Sequence, residues 1–186
     1  MRFSQSFSKL IMQIFHWKVV VTIPFQNKSV ICVVPHTSNW DFIIGKLGYL
    51  SCGFTAHFMI KKDWFFFPLN ILFKSIGGIP VERSRKNRLV DQVVDMFNQN
   101  KVFNIAITPE GTRKRNEVWK KGFYYIAIKA NVPIQLAYLD YEKKVLSIEQ
   151  LFFPTGDENA DFLFINEYYK NVKAKYPEQF ALNKIQ

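Results

Sequence analysis

Apolar positions along this chain switch repeatedly between a period of two and a period near 3.6. Val30 to Val34 is a largely β-branched apolar run that ends at Pro35, which cannot donate to a ladder, so it reads as a buried strand. Behind it Phe42, Ile43, Leu47 and Leu50 fall at helical steps with Ser38 and Asn39 as cap residues, which predicts a helix over 41–52 stopped by Gly53. The same signals predict strands over 19–23, 56–60, 102–107, 132–139 and 145–148, with a hairpin turn at 141–144. Further helices are carried by Leu89, Val93, Met96 and Phe97, by residues 122–130, and by Phe162, Ile165, Tyr169 and Val172, the last pattern running to Pro177. Pro80 and Val81 favour extended chain, and the charge run SRKNR at 84–88 reads as a solvated loop. This alternation predicts one α/β domain over residues 1–186, with a mixed, mostly parallel sheet flanked by helices and with active residues at strand exits.

Two stretches leave their burial open. Phe3, Phe7, Leu10, Ile11, Ile14 and Phe15 form one stripe of a helix within residues 1–18, which suits either an interfacial helix or packing on the domain. Residues 61–76 pair two lysines with Trp64, Phe65, Phe66 and Phe67, aromatics that could line an apolar pocket, meet a membrane interface or fill the core.

Composition narrows the partners. A net charge of +10 calls for an anionic one, which by charge alone could be nucleic acid, an anionic membrane or a phosphorylated substrate. The 19 phenylalanines suit contact with acyl chains or membrane better than a solvated nucleic-acid groove, so no nucleic acid is expected. Cys32 and Cys52 make no disulfide framework, which fits a reducing compartment. With no run of about 18 apolar residues and no small-residue cleavage site, a cytoplasmic protein in peripheral contact with membrane is expected. His16, His36 and His57 lack metal-ligand spacing, and no metal is expected.

The chemistry gathers at the exits of two strands. His36 follows the strand at 30–34, and Asp41 falls in the first turn of the next helix, close enough for a loop histidine to fold back onto the carboxylate. A carboxylate on one imidazole nitrogen leaves the other free to accept a proton, the arrangement of a general base with its orienter. The H-x4-D spacing alone more often describes a capped helix beside a solvated histidine. Two later segments, GGIPVERS at 77–84 and TPEGTR at 108–113, add an arginine after a glycine turn and a glycine turn after a second strand, where amides and Arg113 could converge on an anion.

HTSNWD at 36–41, GGIPVERS and TPEGTR, in this order, resemble the blocks of the glycerolipid acyltransferase family, best known from the 1-acylglycerol-3-phosphate acyltransferases, over roughly residues 30–140. The resemblance implies a glycerol-3-phosphate acyltransferase-like α/β fold with His36 as general base and Asp41 as its orienter. It implies that Arg83, Glu110, Gly111, Thr112 and Arg113 serve the phosphate of the acceptor. No bound cofactor is implied; the acyl donor is a thioester on CoA or acyl carrier protein, and the acceptor is a lysophospholipid hydroxyl. Thr108, where many members have Phe, and Leu136, where a second proline is usual, depart from the family pattern. An amino-acid lipid or glycolipid acceptor therefore stays open, as does a basic lipid- or nucleic-acid-binding protein without catalysis.

Overall fold

The computed structural model describes residues 2–82 and 86–185; Arg83, Ser84 and Arg85 lie outside it. The chain runs α1 (Arg2–Ile14), β1 (Lys18–Val21), β2 (Lys28–Val33), α2 (Asn39–Ser51), β3 (His57–Lys61), α3 (Leu69–Ser75) and β4 (Gly78–Val81). It continues as α4 (Lys86–Gln99), β5 (Phe103–Ile107), α5 (Gly122–Ala130), β6 (Ile134–Asp140), β7 (Val145–Phe152) and α6 (Glu158–Tyr169). The strands form one sheet in the order β1-β7-β6-β2-β5-β3-β4. All neighbours are parallel except the β6–β7 hairpin. The expected mixed, mostly parallel sheet is present.

Strand β2 shows how the sheet divides two cores. Its successive side chains point to opposite faces, so Val30 and Cys32 join a cluster built with Val93 and Phe97 of α4, Phe123 and Ile126 of α5 and Ile165 of α6. Ile31 and Val33 face the other way, toward Tyr49 of α2 and Leu139, Leu146 and Ile148 of the hairpin. Both faces are thus covered, as a parallel sheet requires. The parallel strands β2 and β5 are neighbours in register, so their exits lie side by side.

Several elements differ from the pattern reading. Helix α4 starts at Lys86, inside the run read as a loop, because Lys and Arg are good helix formers. Strand β7 continues to Phe152 through polar Glu149 and Gln150, since pairing with β6 satisfies its backbone whatever the side chains. Helix α6 stops at Tyr169 and not at Pro177; beyond it the Lys173 carbonyl accepts from the Tyr141 amide at 2.9 Å, a tertiary bond that a continued helix would forgo. Helix α1 buries Ser8 and Met12, half-buries Ile11, and turns Phe3, Phe7, Leu10 and Ile14 to solvent, with exposed Phe15 just past its end, so most of the stripe does not pack on the domain. Trp64, Phe66 and Phe67 are each more than half exposed, which removes them from the core, and Phe65 is half-buried.

Candidate active site

Ser38 begins α2. Its side chain accepts from the Trp40 amide at 3.2 Å, and Asp41, in the first turn, reaches back so that Oδ2 accepts from the amides of Thr37 and Ser38, each at 2.8 Å. This is a capping box with Asp in the Glu position. It serves more than the helix, because the same carboxylate stands against His36. The imidazole Nδ1 lies 3.3 Å from Asp41 Oδ2, within ion-pair reach though not aligned as a hydrogen bond. Nδ1 is buried and the imidazole side chain retains 19% exposure, against 1% for Asp41. The ring therefore offers Nε2 to the cavity.

Asp41 Oδ1 accepts from the Tyr141 hydroxyl at 2.5 Å, a bond spanning 100 residues. Burial pushes the Asp41 carboxyl up, but the His36 ring, the Tyr141 hydroxyl and the Ser38 amide together hold it below its ordinary value. The group stays ionised. Burial and the Asp41 charge both raise the Tyr141 phenol, which therefore remains a donor.

The β5 exit supplies the second wall. Glu110 is 1% exposed, and its Oε1 accepts from the His36 amide at 2.8 Å while Oε2 is buried without a hydrogen-bond partner. Burial, with the Asp41 charge nearby, raises its pKa to about 7 despite the bond from His36. A carboxyl held beneath the His36 loop, and repelled by anions when ionised, is not placed to hold a phosphate. The structure thus separates Glu110 from Gly111, Thr112 and Arg113, which line the cavity with His36 and Asp41. Gly111 adopts φ +66°, and a Cβ there would come within 2.6 Å of the Lys120 side-chain end. Its amide donates to the Thr108 carbonyl at 3.2 Å and is committed to the turn. Arg113 hydrogen-bonds Asn39 Oδ1, joining the two strand exits. Arg83 belongs to the undescribed stretch just after Glu82.

Sequence patterns missed three contributors. Tyr141 sits in a hairpin turn with no motif around it, and only the sheet order brings it to Asp41. Lys120 lies across Gly111. Lys46 of α2 lines the cavity, donates to the Ala56 carbonyl at 3.0 Å, and has its pKa lowered by burial; a lone cation inside FIIGKLGYL was the available hint.

The cavity reaches about 1100 Å³. One arm runs beneath α2, lined by Ile31, Val33, Leu139 and Leu146 of the sheet with Gly45 and Tyr49 of the helix. Lys46, Arg113, Lys120 and Lys121 share the lining with these apolar side chains, the plan of a site for an amphipathic ligand. Trp64 to Phe67 do not line it, nor does buried Leu136, whereas Thr108 does.

The sequence model of the family described as Acyltransferase matches residues 18–138. No curated protein gives a match. Among solved structures, the crystal structure of the 1-acyl-sn-glycerophosphate (LPA) acyltransferase PlsC from Thermotoga maritima is similar at 19% identity with a TM-score of 0.62, covering 91% of this chain and 76% of that one.

Proposed function

The chain belongs to the acyltransferase family, and on that premise we propose that it moves a fatty acyl chain from a thioester, on CoA or acyl carrier protein, to the hydroxyl of a lysophospholipid such as 1-acylglycerol-3-phosphate. The observation that carries this reading is the His36–Asp41 pair, at 3.3 Å, on a cavity of about 1100 Å³ whose lining beneath α2 is largely apolar. His36 Nε2 takes the acceptor's hydroxyl proton as its oxygen attacks the thioester carbonyl. The tetrahedral adduct then expels the thiolate, which takes the proton from His36, and ionised Asp41 stabilises the imidazolium between these steps. No acyl-enzyme is required. The acyl chain occupies the arm beneath α2, where burying each methylene contributes about 0.8 kcal/mol. Arg83 and Arg113 hold the acceptor phosphate, supported by Thr112 and by Lys120 beside Gly111, since a guanidinium can engage two phosphate oxygens at once.

The exposed apolar stripe of α1 and the aromatic run at 64–67, beside Lys61, Lys62 and Lys74, suit peripheral docking on an anionic membrane surface. Among the described residues no helix is long and apolar enough to cross a membrane. Binding to anionic vesicles that exceeds binding to neutral ones and weakens with salt is expected; indifference to lipid charge counts against docking.

Thr108 lines the cavity where the family resemblance leads one to expect Phe, so the acceptor panel includes amino-acid lipids and glycolipids. The test is mass spectrometry of products made by purified protein from acyl-CoA or acyl carrier protein thioesters with each lyso-acceptor. Selective acylation of 1-acylglycerol-3-phosphate is expected; thioester left unconsumed with every acceptor would overturn the proposal.

A further inference from the structure

Asp41 has more partners than a helix cap needs. The amides of Thr37 and Ser38 occupy Oδ2, which also faces His36, and among the described residues the Tyr141 hydroxyl is the donor that meets Oδ1. Without that fourth partner the carboxylate keeps its cap bonds on Oδ2 but loses the contact that holds Oδ1 and completes the restraint on its rotation about Cβ–Cγ. Tyr141 is itself held twice: its ring meets Trp17 edge-on at 5.1 Å, and its amide donates to the Lys173 carbonyl at 2.9 Å. The hydroxyl is therefore delivered by a fixed frame.

We propose that Tyr141 is a positioning residue that sets the orientation and charge of Asp41, and through it the basicity of His36. The hydroxyl draws negative charge toward Oδ1, away from the side of the carboxylate that faces Nδ1. With the hydroxyl gone, the carboxylate facing the ring is more negative and less well aimed. The imidazolium is then held more tightly, while the neutral ring is presented less often in its working orientation. Among the described residues, the groups facing Asp41 and Tyr141 from the packed elements are His36 and the α2 cap, Glu110 beneath the loop, and Tyr176, which lies near the Tyr141 hydroxyl and donates its amide to Thr37 Oγ1 at 3.3 Å.

This proposal rests on the acyl-transfer reading only for its kinetic readout. The decisive experiment is an NMR titration of the His36 ring, identified by its absence from the His36→Ala spectrum, in the wild type, Tyr141→Phe, Asp41→Asn and the double variant. Phe keeps the ring against Trp17, and matched thermal unfolding checks that the fold is retained. The expected result is a three- to tenfold rise in His36 proton affinity in Tyr141→Phe and no further change when that substitution is added to Asp41→Asn, the signature of a coupled pair. Turnover should fall about tenfold with the acidic limb of the pH profile displaced upward and with both Michaelis constants held. A His36 titration unchanged by Tyr141→Phe, or changed equally with and without Asp41, overturns the proposal whatever turnover does. A displaced titration in a protein that consumes no thioester leaves the positioning role standing and refutes the acyl-transfer reading instead.

Discussion

Replacing Glu110 by Gln isolates what a buried carboxyl beneath the His36 loop does to stability. The amide oxygen of Gln can still accept from the His36 amide, so the loop retains its anchor, while the ionisable group is gone. Burial raises the Glu110 pKa from 4.5 to about 7, which corresponds to about 3 kcal/mol at about 1.4 kcal/mol per pH unit. Between those two values the folded protein binds the proton that the unfolded chain releases, so the contribution is complete below pH 4.5 and is lost as pH rises through 7. Wild-type protein therefore loses up to about 3 kcal/mol across this window for a reason that Glu110→Gln lacks. Urea unfolding of both proteins at several pH values from 4.5 to 8, compared at equal m-values, measures the difference, and groups common to both largely cancel. The variant should gain on the wild type by about 3 kcal/mol between the ends of the range. A difference that does not change with pH would refute the argument that burial, and not phosphate binding, governs this carboxyl. A flat stability difference combined with a raised Michaelis constant for the acceptor alone would return Glu110 to the phosphate site.

Two further outcomes concern substrate binding. Arg83→Lys should raise the acceptor's Michaelis constant and barely move the donor's, with Arg83→Ala costing about ten- to a hundredfold in kcat/KM toward a phosphorylated acceptor; equal losses with a phosphate-free acceptor would assign Arg83 to the fold or the donor. Gly45 lines the cavity, and among the described residues outside its own helix turn a Cβ there first meets Leu139, at 4.0 Å, so Gly45→Leu has room to project into the apolar arm. Displacing two or three methylenes from that arm should lower kcat/KM on long-chain donors about tenfold or more relative to short-chain ones, and equal losses on both would mean the chain lies elsewhere.

How far the sequence could be read depended on whether a feature was local. The strand read at 30–34, observed as Lys28–Val33, and the capped helix behind it were legible because Pro35, Ser38 and the spacing of Phe42 to Leu50 act over a short stretch, and that geometry allowed the approach of His36 to Asp41. The strand order was not legible, so nothing indicated that the turn after β6 would deliver Tyr141 to a carboxylate 100 residues earlier. Glu110 and Arg113 are neighbours in one motif, yet one is buried under the loop and the other lies in the cavity wall. The positive φ of Gly111 and the Asn39 contact of Arg113 separate them, and neither is encoded in spacing. The outward turn of the α1 stripe was equally hidden: amphipathicity identifies two faces, and the burial of Ser8 and Met12 against the domain decides which is covered.

The central claim is that His36 is the base for acyl transfer, and turnover of a folded His36→Ala protein tests it most directly. Thioester consumption and ester formation, measured by mass spectrometry with the best acceptor, should fall together by about two to four orders of magnitude, the range for loss of a general base. Turnover within a few-fold of the wild type in a variant that unfolds at the same temperature would contradict the account.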